Sequence, residues 1–580
     1  MGSIDPRRRE RYERSVLTDL FVRVRQYIDD DVEPTDLPAV LAAAERGEAA
    51  AREDLAERFK GPLQFGTAGL RGLMGGGPFR MNRATVLRAT DGLVRYLINT
   101  IADARERGLV VGRDARHHSD DFQADVAGVA AAHGMRVYWL EGPTPTPLTA
   151  FGVLKLNAAA GVVVTASHNP PAYNGYKVFW GNGAQIIPPH DEGIAAAIDA
   201  APGARHVPRD EPVVGEGRIE DVSSLADDYV EALDAVHFAP AVHVGALKVA
   251  YTAMHGVGAA LFRRVLARRG PVKLFEVAEQ IEPDGDFPTV AFPNPEEPGA
   301  LDLALAVGHR HACDVVVAHD PDADRLGVAV RDGDQFRVLT GNEIGVLLAA
   351  HILKHTEGAD RLVVTTLVSS RQLKQMAETT KVHFAETLTG FKWIANEALA
   401  REANGQRFVF GYEEALGYCC GAVVRDKDGI SAGLVLVEMA AEFHSRGLTL
   451  LDALREIRSA NGTYLTKSAS VTFADDAARI RRAMIQLRRS EAETWAGMRI
   501  VGHTDLAEAE DPQRRSNVLL FDLDGGRVAA RPSGTEPKIK FYLEVYESGD
   551  VEAALIRGET RLSALLTAVC EEAGLVAPSA

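Results

Sequence analysis

Short apolar segments alternate with longer amphipathic ones along most of the chain. Between residues 109 and 417, β-branched runs end in polar loops, and each loop is followed by a stretch whose apolar residues have helical spacing. Clear examples are LVVGRDAR, GVVVTASHNP, DVVVAHDPDADR and RFVFGYEEALG. Such runs between amphipathic helices indicate largely parallel sheets covered on both faces, where the loops after the strands carry the ligand chemistry.

The two ends of the chain follow different patterns. The first 60 residues have helical spacing, including an Ala-rich amphipathic stretch from Leu37 to Phe59. Beyond residue 470 we predict a helix over 474–488, strands over 516–523, 527–533 and 538–546, a turn at 524–526, and a helix from residue 551. This order is typical of a small antiparallel α+β domain.

Breaks in the pattern divide the chain into four domains. Pro, Gly and charged residues interrupt it at 201–218, after 330–338 and near 459–470. We therefore place the domains at 1–210, 211–335, 336–462 and 463–580. Just after the second break, Thr340 and Glu343 have the spacing of a capping box, which predicts a helix over 344–353.

Composition is that of a large globular protein. The chain has 580 residues, of which 46% are hydrophobic and 25% charged, and its 64 Lys and Arg against 81 Asp and Glu give a net charge of -17. This balance argues against a nucleic-acid coat or a binder of anionic membranes. The polar N-terminus and the lack of long apolar runs predict a cytoplasmic protein without membrane partners, and no signal indicates an oligomeric state.

The cysteines predict no cross-linked framework. There are only four, at positions 313, 419, 420 and 570, and no Cys-x-x-Cys pair or Cys/His cluster indicates structural zinc. We expect Cys419 and Cys420 to be buried, unreactive thiols.

Three carboxylates follow the apolar run at 315–317. Asp320, Asp322 and Asp324 alternate along a short loop, so they can converge on one hard cation, and such a group is costly to hold together without one. An EF-hand is excluded because Arg325 and Arg331 stand where it needs Gly and Glu. Oxygen ligands favour magnesium. The alternative is a solvated acidic turn.

A second loop, TASHNPPAYNGYK at 165–177, also follows a strand. It offers a hydroxyl nucleophile at Ser167, an imidazole at His168 and a lysine at Lys177. The sequence around Ser167 lacks the Gly-x-Ser-x-Gly pattern of a serine hydrolase elbow. The alternative is a turn capped by Ser with a surface His.

The third loop, ARPSGTEPKIK at 530–540, combines backbone N–H groups, hydroxyls and cations that suit a phosphate. Its candidate phosphate ligands are Arg531, Ser533, Gly534, Thr535, Lys538 and Lys540. The alternative is a hairpin connection with a solvated basic edge. With a nucleophile in one loop, a cation site in another and a phosphate site in the third, the chain suits phosphoryl transfer.

Ordered motifs along nearly the whole chain resemble those of the α-D-phosphohexomutases, which include phosphoglucomutases and phosphomannomutases. The motifs are GTAGLRG at 66–72, TASHNP at 165–170, DPDADR at 320–325, TGFKW at 389–393, GYEEALG at 411–417 and RPSGTEPK at 531–538. The EEALGY form is most similar to the phosphoglucomutase-2-type subgroup, some of whose members are phosphopentomutases. The resemblance implies an α/β fold of four domains, with three similar mixed α/β domains and a C-terminal antiparallel α+β domain.

The resemblance also implies a mechanism. Ser167 would carry the phosphoryl group as phosphoserine, and the three carboxylates at 320, 322 and 324 would bind Mg²⁺ together with an oxygen at Ser167. The sugar phosphate would pass through a bisphosphate, and glucose 1,6-bisphosphate or a related compound would act as activator. His168 and Lys177 become candidates for proton transfer or charge stabilisation.

Further residues are assigned to the substrate by the same resemblance. Arg71 and Arg325 would hold the phosphate at the reacting end, and Lys392 would reach the substrate from the third domain. Glu413 would contact sugar hydroxyls. The group at Arg531, Ser533, Gly534, Thr535 and Lys540 would hold the phosphate that is not being transferred.

One departure and two alternatives bear on the activity. Glucose-preferring relatives usually have Ser where this chain has Ala415, which leaves glucose, mannose and pentose phosphates open as substrates. A haloacid-dehalogenase-type phosphatase or mutase would instead use Asp320 as nucleophile, but Asp324 departs from that family's usual Thr or Val. A sugar-phosphate-binding protein without catalysis would not need complete nucleophile and metal loops.

Overall fold

A computed structural model describes residues 6–33, 35–66, 69–473, 477–532 and 538–578. Within these residues the strands form four sheets, one after another along the chain. The first three are mixed sheets with helices, and the last is antiparallel throughout. The expected fold class is confirmed.

The first sheet has the strand order β1-β5-β4-β2-β3-β6, in which β4, β2, β3 and β6 run parallel. Its strands are β1 (Leu70–Leu73), β2 (Leu109–Arg113), β3 (Val137–Trp139), β4 (Ala160–Val164), β5 (Tyr173–Trp180) and β6 (Ile219–Asp221). The helices of this part are α1 (Pro6–Asp30), α2 (Leu37–Glu45), α3 (Ala49–Arg58), α4 (Arg83–Thr100), α5 (Ala104–Arg107), α6 (Ser119–Ala132), α7 (Thr146–Lys155) and α8 (His190–Asp199).

Two details differ from the sequence pattern. The stretch from Leu37 to Phe59 is not one helix, because Gly47, at φ +98°, separates α2 from α3. Strand β6 joins the first sheet from beyond residue 210. The domain boundary at 210 therefore stays a proposal, while the sheet itself extends to Asp221.

The second sheet has the order β11-β10-β9-β7-β8, with β9, β7 and β8 parallel. Its strands are β7 (Lys248–Thr252), β8 (Lys273–Glu276), β9 (Val315–His319), β10 (Leu326–Asp332) and β11 (Gln335–Val338). The helices of this part are α9 (Leu225–Ala232), α10 (Ala259–Ala267) and α11 (Asp302–His311). The antiparallel hairpin of β9 and β10 holds the three-carboxylate loop at its tip.

The third sheet has the order β13-β12-β14-β15, with an antiparallel edge at β15. Its strands are β12 (Arg361–Thr366), β13 (His383–Thr387), β14 (Arg407–Glu413) and β15 (Gly417–Cys420). The helices are α12 (Gly341–His355), α13 (Gln372–Thr380), α14 (Phe391–Glu402), α15 (Gly429–Ser445) and α16 (Leu450–Asn461). The predicted capping box is confirmed: Thr340 and Glu343 cap α12, which is longer than the predicted 344–353.

The fourth sheet has the order β16-β21-β20-β19-β18-β17. Its strands are β16 (Thr463–Thr472), β17 (Thr494–Trp495), β18 (Met498–Asp505), β19 (Leu519–Leu523), β20 (Gly526–Pro532) and β21 (Lys538–Glu547), and its helices are α17 (Ala477–Arg488) and α18 (Val551–Glu572). The hairpin at 524–526 and the final helix are confirmed. The sequence pattern did not predict β16, β17 or β18, because their exposed positions weaken the alternation.

The first three parts share one buried apolar cluster. Phe151 of α7 packs edge-on against Tyr229 of α9 at 5.6 Å, and the Tyr229 hydroxyl donates to the Asp428 carboxylate at 2.9 Å. Because Asp428 also caps α15, this contact ties together elements of the first, second and third parts. Their strand-end loops are therefore held in a fixed relation to one another.

The four cysteines lie where the sequence predicts. All four thiols are buried and free, and burial raises the pKa of Cys419 and Cys420, which makes them poor nucleophiles. Among the described residues, no helix has both the length and the apolar character of a membrane span.

Candidate active site

The loop after β4 holds Ser167 in a strained backbone conformation. Ser167 has φ +51°, in the left-handed region that residues other than glycine rarely adopt, and it is 2% exposed. Its amide donates to Thr165 Oγ1 at 2.8 Å, and Thr165 Oγ1 donates in turn to Asp114 Oδ2 at 2.6 Å. The buried Asp114 therefore fixes the turn that presents the serine hydroxyl.

Arg116 holds the same loop through its carbonyl groups. Its guanidinium donates to the carbonyl oxygens of Ser167 and Asn169, both at 2.5 Å, and to that of Pro170 at 2.9 Å. It also pairs with Asp114, with Nε 3.2 Å from Oδ2. Sequence reasoning assigned no role to Arg116. The only signal was three charged side chains at and just after the end of an otherwise apolar strand, in GRDAR.

The carboxylate loop of the second sheet meets the serine loop of the first. Asp320, Asp322 and Asp324 have no exposed surface, and oxygens of the three lie within 4.8 Å of one another. Ser167 Oγ donates to Asp320 Oδ2 at 3.0 Å. Residues 153 positions apart are thus in direct contact at the two strand ends.

Lysine and threonine side chains compensate part of the charge. Lys177 Nζ on β5 donates to Asp322 Oδ2 at 2.6 Å and to Asp324 Oδ2 at 2.8 Å, and Thr146 Oγ1 donates to Asp322 Oδ2 at 2.6 Å. Lys427 Nζ lies 3.4 Å from Asp324 Oδ2. Although burial alone lowers the pKa of Lys177, the two carboxylates raise it. Lys177 is thereby held as a cation.

The remaining carboxylate oxygens suit a cation. Asp322 Oδ1 and Asp324 Oδ1 are buried and accept no hydrogen bond. Burial, followed by the charges of Asp322 and Asp324, raises the pKa of Asp320 well above its usual range. Buried acceptors without donors are costly, and three converging carboxylates are the ligand set of a hard divalent ion. The residues therefore fit a metal ion.

The other side chains predicted for the reacting end lie around this pair of loops. His168 Nδ1 is 3.2 Å from Ser167 Oγ, and burial, then the charges of Arg325 and Arg71, lower the pKa of His168. Arg71 donates to Asn169 Oδ1 at 2.8 Å. Arg325 Nε is 3.9 Å from Asp320 Oδ2 and has no hydrogen-bond partner, so it can accept an anionic ligand.

A cavity of about 360 Å³ adjoins the carboxylate loop and is shared by the first, third and fourth parts of the chain. Its polar lining includes Gln185, Lys392, Glu413, Lys427, Ser516 and Arg531. Burial raises the pKa of Glu413 to about 7, and burial lowers that of Lys392 to about 8.

Lys427 links the cavity to the carboxylates, although it was not among the residues predicted from the sequence. Its signal was the charged triplet at 426–428 before the apolar helix α15.

The fourth sheet contributes two paired cations. Arg531 on β20 and Lys540 on β21 are cross-strand neighbours, so their side chains share one face of the sheet. The charge of Lys540 also acts on Glu296, whose carboxylate lies 3.8 Å from Arg325 Nη1. The predicted ligands Ser533, Gly534 and Thr535 lie outside the described residues.

Comparisons with known proteins agree with this arrangement. Models of the phosphoglucomutase/phosphomannomutase α/β/α domains I, II and III match residues 62–204, 227–333 and 340–458, and the C-terminal domain model matches 484–559. The human protein named phosphopentomutase is 36% identical, with 85% of this chain and 86% of that protein covered. A Haemophilus influenzae protein, named as a probable phosphomannomutase, is 40% identical, with 80% and 93% covered.

A solved structure has the same fold. It belongs to a phosphoglucomutase/phosphomannomutase family protein from Burkholderia thailandensis, and it superposes with a TM-score of 0.64 at 22% identity over 86% of this chain and 96% of that one. The match to all four domain models also favours this family over the haloacid-dehalogenase alternative. The chain therefore belongs to the phosphoglucomutase/phosphomannomutase family, whose members are isomerases that move a phosphoryl group between positions of a sugar phosphate.

Proposed function

We propose that this phosphosugar mutase works through a phosphoserine at Ser167. The observation that carries the proposal is the 3.0 Å contact of Ser167 Oγ with Asp320 Oδ2, which brings the serine hydroxyl next to the carboxylate loop. The strained φ of Ser167 supports it, since such strain is kept where the surrounding structure presents a reactive side chain.

Asp320, Asp322 and Asp324 would hold Mg²⁺, together with an oxygen at Ser167. The two unpaired carboxylate oxygens support this assignment, and oxygen-only ligands favour magnesium over softer metals. When bound, the ion supplies charge neutralisation for the transferring phosphoryl group. Lys177 adds a fixed positive charge on the same side of the site.

In the forward step, a sugar hydroxyl attacks the phosphorus of the phosphoserine. The new P–O bond forms as the bond to Ser167 Oγ breaks. The attacking hydroxyl gives up its proton to solvent or to His168, and the serine oxygen takes up one proton by the same route, so no net proton is gained or lost. His168 is the better proton carrier because its Nδ1 lies 3.2 Å from Ser167 Oγ, whereas Lys177 is held by two carboxylates. The bisphosphate then turns over, and Ser167 accepts the other phosphoryl group.

The two ends of the bisphosphate need separate phosphate sites. Arg71 and Arg325 border the serine loop and would hold the reacting phosphate. Lys392 and Arg531 line the adjoining cavity and would hold the distal phosphate, together with Lys540 and the loop at 533–535. Binding energy from the distal phosphate can then assist the reacting end.

The substrate we propose first is a hexose phosphate, glucose or mannose 1-phosphate and 6-phosphate, with glucose 1,6-bisphosphate or a related bisphosphate as activator. A phosphopentomutase acting on ribose or deoxyribose 1-phosphate is the second candidate. The name of the human relative supports the second candidate, and the name of the Haemophilus relative supports mannose. Ala415 argues only against strict specificity for glucose. Glu413 would meet the sugar hydroxyls in either case.

Substrate turnover and phosphate mapping test the proposal together. The purified protein is assayed with glucose, mannose and ribose 1-phosphates in the presence of Mg²⁺ and the matching bisphosphate, and kcat/KM is compared. We expect one hexose phosphate to have the highest value and tryptic mapping to place phosphate on Ser167. A preference for ribose 1-phosphate would establish the second candidate, and no turnover of any would leave only binding.

The distal phosphate site predicts a pH dependence. Burial disfavours the charged form of Lys392, while Asp191 favours it and Arg531 opposes it, which gives a pKa of about 8. Lys392 is a cation below this value and neutral above it, so phosphate binding weakens as pH rises through 8. We expect kcat/KM to fall above pH 8, by up to about tenfold per pH unit. Initial rates at low substrate measure it.

Lys392→Arg is the matched variant, because a guanidinium remains charged throughout this range. The decline above pH 8 should be absent in this variant, even if its maximal rate is lower. The same decline in both proteins would assign it to another group, such as Glu413 in the same cavity.

A further inference from the structure

Two histidines and two glutamates meet between α12 and α15, in the last turns of both helices. His351 and His355 are one turn apart on α12, and Glu438 and Glu442 are one turn apart on α15. One ligand atom each of His351, His355 and Glu442 lies within 4.8 Å of the others. Each histidine lies 87 positions from the glutamate that it contacts, so no local spacing in the sequence indicated that the two pairs meet.

The distances in the cluster match those between ligands of one ion. Glu442 Oε2 lies 3.5 Å from His351 Nδ1 and 3.2 Å from His355 Nε2. Tetrahedral zinc with bonds of about 2.0–2.1 Å to nitrogen and oxygen separates its ligands by about 3.3 Å. The three atoms therefore need little movement to share an ion.

The second nitrogen of His351 has the partner that a metal-bound histidine needs. His351 Nε2 is 2.8 Å from Glu438 Oε1, and Glu438 also accepts from the Ala239 amide at 2.9 Å and lies 3.2 Å from His237 Nε2. With the proton on Nε2, His351 Nδ1 presents a lone pair toward the Glu442 carboxylate. Two acceptors that face each other need a cation or a further proton between them.

Access to the cluster comes from one side. The His351 side chain is 1% exposed, whereas those of His355 and Glu442 are 24% and 16% exposed. Lys354 pairs with the other oxygen of Glu442 and is itself more than half exposed. An ion can therefore enter past His355, with water as its fourth ligand, while Lys354 competes for Glu442.

We propose that this cluster is a second metal site, separate from the carboxylate loop, that binds a divalent transition ion such as Zn²⁺. The ligands are His351 Nδ1, His355 Nε2 and Glu442 Oε2, and Glu438 orients His351. Two imidazoles and one carboxylate favour zinc and similar ions over magnesium.

The ion fixes the far end of a helix that braces the catalytic loop. At its first residue, Gly429, α15 donates from its amide to Ala323 O at 3.2 Å and accepts from His319 Nε2 at 2.9 Å. Ala323 lies within the carboxylate loop, so α15 joins the two metal sites at its opposite ends. The second site clamps α12 to α15 and takes no part in the reaction.

Calorimetric titration with ZnCl₂ tests this site in full-length protein saturated with Mg²⁺. We expect one Zn²⁺ site in the wild type, and His355→Ala should lower its affinity at least about 100-fold. Glu438→Gln should lower the affinity about 10- to 100-fold, because it removes the acceptor that orients His351. Lys354→Met should raise the affinity, since it removes the competing cation.

His444→Ala is the matched control, because His444 lies on α15 beside Glu442 but pairs elsewhere, with Asp314 at 3.6 Å. It should bind Zn²⁺ as the wild type does. Zn²⁺ should also raise the Tm of the wild type and of His444→Ala but not that of His355→Ala. If His355→Ala does not fold, Glu442→Gln takes its place.

Two results would overturn the proposal. One is no binding of Zn²⁺ to the Mg²⁺-saturated wild type. The other is equal affinity in wild type and His355→Ala, which would place the ion at the carboxylate loop or at scattered surface groups. Mutase turnover is measured separately, so a failure of the proposed function leaves this test unaffected.

Discussion

Replacement of Ser167 by alanine is expected to reduce mutase turnover by on the order of 10⁴-fold or more. The variant retains the carboxylate loop and the residues of both proposed phosphate sites but has no oxygen to carry the phosphoryl group. Alanine at φ +51° has the same backbone strain as serine, so folding should be little affected. Coupled assays with saturating bisphosphate and tryptic phosphate mapping measure the effect.

Ser445→Ala provides the control for this experiment, because Ser445 is an exposed serine at the end of α15. It should have wild-type turnover and keep phosphate on Ser167. Retained activity in Ser167→Ala, with phosphate found elsewhere, would falsify the phosphoserine mechanism.

Asp322→Asn is expected to lower kcat at least about 100-fold and to raise the Mg²⁺ concentration needed for half-maximal activity. Loss of a partner that merely orients a ligand costs about 10- to 100-fold in metal affinity or activity, so loss of a ligand should cost no less. The substitution keeps the volume of the side chain but removes one of the three negative charges. It also weakens the hydrogen bonds that Lys177 Nζ and Thr146 Oγ1 donate to Asp322 Oδ2. Activity measured against Mg²⁺ concentration gives both quantities.

The comparison for this variant is Asp332→Asn, at the exposed end of β10 in the same part of the chain. It removes one negative charge without altering the carboxylate loop, and its kinetics and Mg²⁺ dependence should match the wild type. Unchanged kinetics in Asp322→Asn would instead assign the three carboxylates to a structural turn. Thermal unfolding of both variants separates loss of metal binding from loss of folding.

Local sequence patterns predicted the serine loop and the carboxylate loop but not the contact between them. Ser167 and the three carboxylates each follow an apolar strand, and this placement alone indicated functional loops. Hydrophobic periodicity gives no information on the distance between Ser167 and Asp320, which are 153 positions apart. Their contact was therefore expected only from the resemblance of the ordered motifs to a known family. The structure adds the 3.0 Å distance and the unpaired oxygens.

Other parts of the site were missed for physical reasons. Arg116 donates hydrogen bonds to backbone carbonyl groups, which every residue has. No particular partner residue in the sequence could therefore predict its role. Lys427 looks like a solvated charge in a polar loop, but in the folded chain Asp324 and the Phe391 ring lie beside it and it is buried. Strands β16 to β18 were missed because they are half exposed, and strand propensity depends on the neighbours that a strand acquires.

The Lys177 contacts have a consequence for how the chain assembles. Three carboxylates on one hairpin tip repel one another, and in the folded protein their main counter-charge comes from β5 of a different sheet. The second domain alone would have to hydrate or protonate this loop. When the second domain docks against the first, Lys177 replaces the water around these carboxylates. Folding of the hairpin tip is therefore coupled to folding of the first domain, which is synthesised earlier.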